Sequence, residues 1–208
     1  MNCTTIVLAA SVMFSALGSA AAQDRMPPIP VDKMTDAQKK AAEELKAGPR
    51  GELIGPFIPL LRSPEFMSRL QKTGAFLRYE NSLGRKLTEF IILLTARQWT
   101  QQFEWDAHFE LALKAGWKPE VLAAVAEGRR PVGMAEEEEL VYDFLTELHQ
   151  NQGVSDATYA RAVKRFGEPG VIEMVGVTGY YTMLGMIMNV ARTPLPQGKT
   201  QPLAPFPH

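Results

Sequence analysis

Glu104 and His108 are the residues in this chain best placed to move protons. They stand four positions apart, so on a helix their side chains lie one turn apart on the same face. The run from Phe103 to Gly116 reads as such a helix. At about 3.6 residues per turn, Glu104, His108, Leu111, Ala112 and Ala115 share one stripe, while Asp106, Glu110 and Lys114 lie opposite. A carboxylate and an imidazole on an apolar stripe are costly to bury unless they pair or react. The chemistry they suit is acid/base: the imidazole titrates nearest neutrality, and the carboxylate orients it or passes a proton on. Glu89 upstream is a second candidate acid, because burial raises a carboxyl pKa and lets it donate as the neutral acid. Arg85, one turn before Glu89, is the nearest cation for a substrate carboxylate and equally a structural partner for Glu89.

Plainer readings stand beside these. His108 fits a satisfied core histidine, and Glu104–His108 fits a buried pair that only fixes helix packing. A histidine and two carboxylates also match zinc or iron chemistry, but no second histidine lies near, so no metal is expected. His149 at a helix end reads as a dipole partner, and His208 as solvated. Trp99, Trp105 and Trp117 read as core or interface residues.

The elements that must position this pair are helical. Thr35-Asp36-Ala37-Gln38 is a capping-box pattern that opens a helix through about Ala47, stopped at Gly48. Residues 48–62 read as a loop. Ser63-Pro64 starts a helix to about Tyr79. The stretch 87–97 is apolar nearly all round and reads as a central buried helix, with a buried strand as the alternative. After the Glu104 helix, Pro119 starts a short helix to Gly128. Glu136 to Glu139 form the acidic first turn of the next, where acids complement the helix dipole. Ser155 caps another to Gly167. Residues 171–191 carry Glu173 as their one charged side chain. They are long enough to span a membrane, yet Gly176, Gly179, Gly185, two tyrosines and Asn189 favour a buried or interfacial helix. The tail, with Pro194, Pro196, Pro202, Pro205 and Pro207, reads as extended and lying on a neighbour. The class expected is all-α, a compact bundle of about seven helices.

Residues 1–22 have the layout of a secretory signal peptide: an apolar run from Ile6 to Leu17, then small residues to Ala22. An uncleaved anchor is the alternative, disfavoured by its short apolar run. Cleavage after Ala22 sends the protein to the periplasm or outside the cell, without stable membrane insertion. It also removes Cys3, the only cysteine, so the mature chain has no disulfide, thiolate nucleophile or Cys-ligated metal. The formal net charge of -1, with basic residues scattered among acids, gives no nucleic-acid surface. Four segments are expected: 1–22 the signal peptide, 23–49 an extension with one helix, 50–196 the main domain and 197–208 a Pro-rich tail.

Several motifs coincide with one family. Gly55-Pro56-Phe57-Ile58-Pro59, Leu87-Thr88-Glu89 before an apolar helix, Phe103-Glu104-Trp105-Asp106-Ala107-His108, and Gly179-Tyr180-Tyr181 with Asn189 follow in order. The chain resembles the carboxymuconolactone decarboxylase family, which includes the alkyl hydroperoxidase D branch, over about residues 50–196. The resemblance implies the alkyl hydroperoxidase D-like helical fold and a homo-oligomer, trimer or hexamer, with pockets near subunit contacts. In the peroxidase branch a Cys-x-x-Cys pair precedes the histidine. By that spacing His108 takes the histidine position, Glu89 the upstream glutamate, and Gln101 and Glu104 the two cysteine positions. Neither Gln nor Glu attacks a peroxide, so the thiol peroxidase route is not expected. The decarboxylase branch needs neither thiol nor cofactor and acts on a small carboxylated lactone. The expected function is therefore a cofactor-free lyase or isomerase. His108 is its acid/base, Glu104 its partner and Glu89 a second acid. Arg85, Gln101 and Tyr180 are its substrate contacts, with packing the alternative for Tyr180 and Tyr181. The competing reading is a non-catalytic helical binding or assembly module.

Overall fold

The structure, a computed structural model, describes residues 23–205. Residues 1–22, where a signal peptide is expected, and the last residues of the tail, with His208, lie outside the described residues. Eight α-helices occur among those described, and no strand: α1 (Asp36–Ala47), α2 (Phe57–Leu60), α3 (Pro64–Tyr79), α4 (Arg85–Gln98), α5 (Gln102–Lys114), α6 (Pro119–Ala126), α7 (Glu136–Asn151) and α8 (Asp156–Ala191). The strand alternative for 87–97 therefore falls. The stretch expected as a loop, 48–62, contains the short α2.

The centre is α4. Phe90, Ile91, Ile92 and Leu93 are all fully buried, so successive side chains meet protein on every side of the helix. α5, α7 and α8 pack around it. Only an apolar sequence gains from burial all round, at roughly 1.5–3 kcal/mol per large side chain. Trp117, beyond α5, stacks on Phe90 with ring centroids 4.0 Å apart, and its Nε1 donates to the Lys86 carbonyl at 2.8 Å. Trp105 is buried and Trp99 partly exposed.

Local signals place the helix ends. At α1, Thr35 Oγ1 accepts from the Gln38 amide and Gln38 Oε1 accepts from the Thr35 amide, the reciprocal capping box. At α7, the Glu138 carboxylate accepts from the Ala135 amide at 2.9 Å, as an acid in a first turn should. α8 is two helices joined end to end. Gly167 takes φ 69° and ψ 170°, outside the helical region, and Pro169 follows where a missing N–H costs little. The second half is the only described helix long and apolar enough to cross a membrane, and half of its apolar window is buried against the protein.

Both ends of the described chain are strapped to the bundle. The Arg25 amide donates to the Ala191 carbonyl at 2.8 Å, and Arg62 Nη2 donates to the Pro27 carbonyl. The tail, expected to lie on a neighbour, instead returns to its own chain. Leu203 is 2 % exposed, its amide donates to Gln102 Oε1, and Gln102 Nε2 donates back to its carbonyl. A leucine among prolines supplies both an apolar anchor and a free backbone pair, which is why the tail docks there.

Candidate functional site

Glu89 comes from α4, and Glu104 and His108 from α5. The turn between these helices fixes their relation. Thr100 adopts φ 45°, and the Gln101 amide donates to the Ala96 carbonyl at 2.8 Å. Gln101 then caps α5: its Oε1 accepts from the Phe103 amide at 2.7 Å and the Glu104 amide at 3.3 Å. Its Nε2 donates to Asn189 Oδ1 on α8 at 2.9 Å. So the expected substrate contact Gln101 is instead an N-cap that ties α5 to α8, and it is not among the residues lining the cavity described below.

His108 lies between two carboxylates. Its Nδ1 is 2.6 Å from Glu89 Oε2 and its Nε2 is 3.3 Å from Glu104 Oε2. All three residues are at most 4 % exposed. Desolvation pulls the imidazole pKa down. Hydrogen bonding to Glu104 and Glu89 and the attraction of both charges outweigh it, so the pKa is raised above 6.5. By distance Glu89 is the tighter partner. Both ring nitrogens are engaged by the two carboxylates, and no group of three or more His, Cys, Asp or Glu side chains placed to hold a metal ion occurs among the described residues. Glu89 was expected as a separate acid. The structure joins it to His108 Nδ1.

A cavity of ≈ 290 Å³ opens beside this triad. Glu104, His108, Ala107 and Leu111 of α5 form one wall, Tyr181 and Leu184 of α8 another, and Arg50, Arg78 and Tyr79 a third. Its size suits a small ligand rather than a drug-sized one. Arg50 Nη2 donates to Tyr180 Oη at 3.2 Å, and its guanidinium lies over the Phe57 ring at 4.8 Å. Arg78 feels the charges of Glu89 and Glu104, and its Nε is buried without a hydrogen-bond partner.

Two further expected contacts move. Tyr180 pairs with Arg50 and is not among the residues lining the cavity, whereas its neighbour Tyr181 is. Burial pushes the Tyr180 phenol up to about 12, against the pull of Arg50. Arg85 is exposed and lines an adjoining cleft with Arg78, Tyr79, Asn81, Gly84 and Glu89, so it reaches the Glu89 side of the triad and not the main cavity.

Sequence reading missed Arg50 and Arg78, and it weighed Tyr181 beside Tyr180 but took Tyr180 as the contact. Arg78 carried a signal: Gln71, Gly74 and Arg78 recur at helical spacing beside Leu70 and Leu77, putting polar residues on the buried stripe of α3. Arg50 in its Gly/Pro loop carried none.

An all-helical bundle with a buried carboxylate–imidazole–carboxylate triad beside a cavity lined by Arg50 and Arg78 as well as Glu52 and Glu104 is the class that fold and site define, and the fold is alkyl hydroperoxidase D-like. The sequence model of the carboxymuconolactone decarboxylase family matches residues 64–147, from α3 into α7. Glu89, Glu104, His108 and Arg78 all fall inside the match; Arg50 and Tyr181 lie outside it. No curated protein matches the chain.

Proposed function

We propose that this protein performs cofactor-free acid/base chemistry, a decarboxylation or proton shift, on a small carboxylated or lactone substrate. The observation that carries the reading is the Glu89–His108–Glu104 triad buried beside a cavity walled by Arg50 and Arg78. The family match over 64–147 supports carboxymuconolactone decarboxylase-like chemistry. His108 is the acid/base. Its raised pKa keeps an imidazolium available near neutrality to deliver a proton. Glu104 reaches both Nε2 and the cavity, so it orients the ring and relays the proton. Glu89 holds the tautomer from the far side. Arg50 offers a charge to a substrate carboxylate, and a bidentate guanidinium suits that group.

Export with cleavage after Ala22 and assembly as a homo-oligomer belong to the same proposal. Support for assembly comes from α8, where Ile172, Val175, Met186 and Val190 are exposed on a segment without charge beyond Glu173.

The test is thermal shift of wild type against His108→Ala over a panel of small lactones and aromatic carboxylates. A ligand-dependent rise in melting temperature that His108→Ala abolishes supports the reading and names the substrate to assay. No shift with any ligand, and a variant that only melts lower, makes His108 a packing residue.

A further inference from the structure

The cavity wall holds a donor that the triad leaves idle. Tyr181 is 3 % exposed and lines the cavity with Glu104 and His108, and its hydroxyl has no hydrogen-bond partner. Buried hydroxyls nearly always find one, and an unpaired hydroxyl opposes folding, so its retention at a cavity points to a ligand. The ring stands edge-on to the His108 imidazole, centroids 5.3 Å apart and planes 86° apart, which fixes it beside the proton donor. Burial holds the phenol protonated well above its usual range despite the pull of Arg78, so the group donates at any working pH. Arg78 lines the same cavity, and its Nε is likewise buried and unpartnered. Two unused donors at one cavity make a place for a negative oxygen.

We infer that the Tyr181 hydroxyl and the Arg78 guanidinium bind the oxyanion of an enolate formed in this cavity from a small carbonyl compound. Tyr181 is then a catalytic residue. The inference rests on the acid/base reading above and adds the substrate class: a carbonyl conjugated to the reacting carbon. In a decarboxylation the bond from that carbon to the carboxylate breaks and carbon dioxide leaves. The electron pair moves through the π system onto the carbonyl oxygen, which takes hydrogen bonds from Tyr181 Oη and Arg78. The His108 imidazolium passes its proton through Glu104 to the enolate carbon, the carbonyl re-forms, and water reprotonates the neutral imidazole, leaving hydroxide. In a proton shift Glu104, backed by the neutral imidazole, creates the same oxyanion by taking a proton from carbon, and returns it to another carbon. Neither route needs an oxidant or reductant.

The probe is 4-nitrophenol, whose anion concentrates charge on a planar, conjugated oxygen and absorbs visible light; 4-nitrotoluene is the neutral control. With the full mature chain, wild type is expected to bind the phenolate more tightly than 4-nitrotoluene and to make the bound probe ionise at lower pH than the free one. Tyr181→Phe should lose about tenfold or more of phenolate affinity, the scale of one hydrogen bond to a charged acceptor. It should leave 4-nitrotoluene binding unchanged and melt no lower than wild type. Arg78→Gln should also weaken the phenolate. A Tyr181→Phe variant that keeps the phenolate preference overturns the inference, as does a wild type without that preference. In both cases the His108-dependent binding of carboxylates still stands or falls separately. Equal loss of both probes with a lower melting temperature makes the hydroxyl structural and also overturns it.

Discussion

At the scale of single residues, His108 is a charge held in place by its neighbours. Its pKa is raised in the folded protein, so its contribution to stability is complete below the ordinary histidine value of 6.5 and is lost as pH climbs through the higher folded value. Melting temperature should therefore fall over a window beginning above 6.5. Glu89→Gln, which removes the carboxylate charge 2.6 Å from Nδ1, should lower the imidazole pKa and flatten that slope. NMR titration of the His108 ring checks the first and thermal melts against pH the second; an unmoved titration would show that Glu89 does not set the charge. On substrate, His108→Ala is expected to cost about 10²–10⁴ in kcat, the usual weight of a positioned acid or base. Tyr181→Phe should move function and stability in opposite directions. Removing a buried, unpartnered hydroxyl relieves a desolvation cost of about 1–3 kcal/mol while the ring packing is kept.

At the scale of elements, the site depends on how closely α3 and α8 approach. A Cβ on Gly74 would lie 2.0 Å from Tyr180 Oη and 2.7 Å from Arg50 Nη2, so glycine is what lets Tyr180 and Arg50 meet above α3. Gly74→Ala is expected to destabilise by about 1–3 kcal/mol, the usual cost of overpacking, and to weaken carboxylate binding by displacing Arg50. Denaturant melts and ligand titration check the two effects. The helices themselves were legible because each carries a local signal: the Thr35–Gln38 box, the Ser63-Pro64 start, the all-apolar run of α4, the acids of α7. Glu104 and His108 were legible for a related reason, since a charge on an apolar stripe needs an explanation and spacing alone supplies the stripe. Contacts made between elements were not. Glu89 was named as a site residue, but its bond to His108 joins two helices; Arg50 and Arg78 converge from a loop and α3; and the choice between Tyr180 and Tyr181 turns on about 100° of helix rotation. No local pattern records those relations. Gln101 shows the converse: its type suited a substrate contact, but its place before α5 gave its oxygen to two orphan amides.

At the scale of the whole molecule, the tail closes a loop of constraints onto α5, the helix that carries Glu104 and His108. Residues 203 and 204 meet α4 and α5 where the two helices join: Leu203 pairs twice with the Gln102 side chain, and Arg97 Nη1 donates to the Ala204 carbonyl at 2.7 Å. Lys199 reaches Asp106 on α5 at 3.1 Å. The first turn of α5 also contains Glu104, so the tail, the N-cap Gln101 and Asn189 of α8 together hold that turn. Ending the chain after Gly198 removes the Leu203 anchor, both hydrogen bonds to Gln102 and the Asp106 pair. Burial of one leucine alone is worth about 1.5–3 kcal/mol, so melting temperature should drop by several degrees for a domain of this size. The loss should also be local. Hydrogen exchange is expected to quicken at Phe103–Trp105 more than along α4, because the first turn of a helix depends most on outside partners. With Glu104 less firmly placed, kcat should fall while the affinity for carboxylates, proposed to rest on Arg50, changes little. Leu203→Ala should reproduce a part of each effect without shortening the chain. A truncated protein with unchanged exchange at the start of α5 would show that the tail only covers the surface and takes no part in aligning the triad.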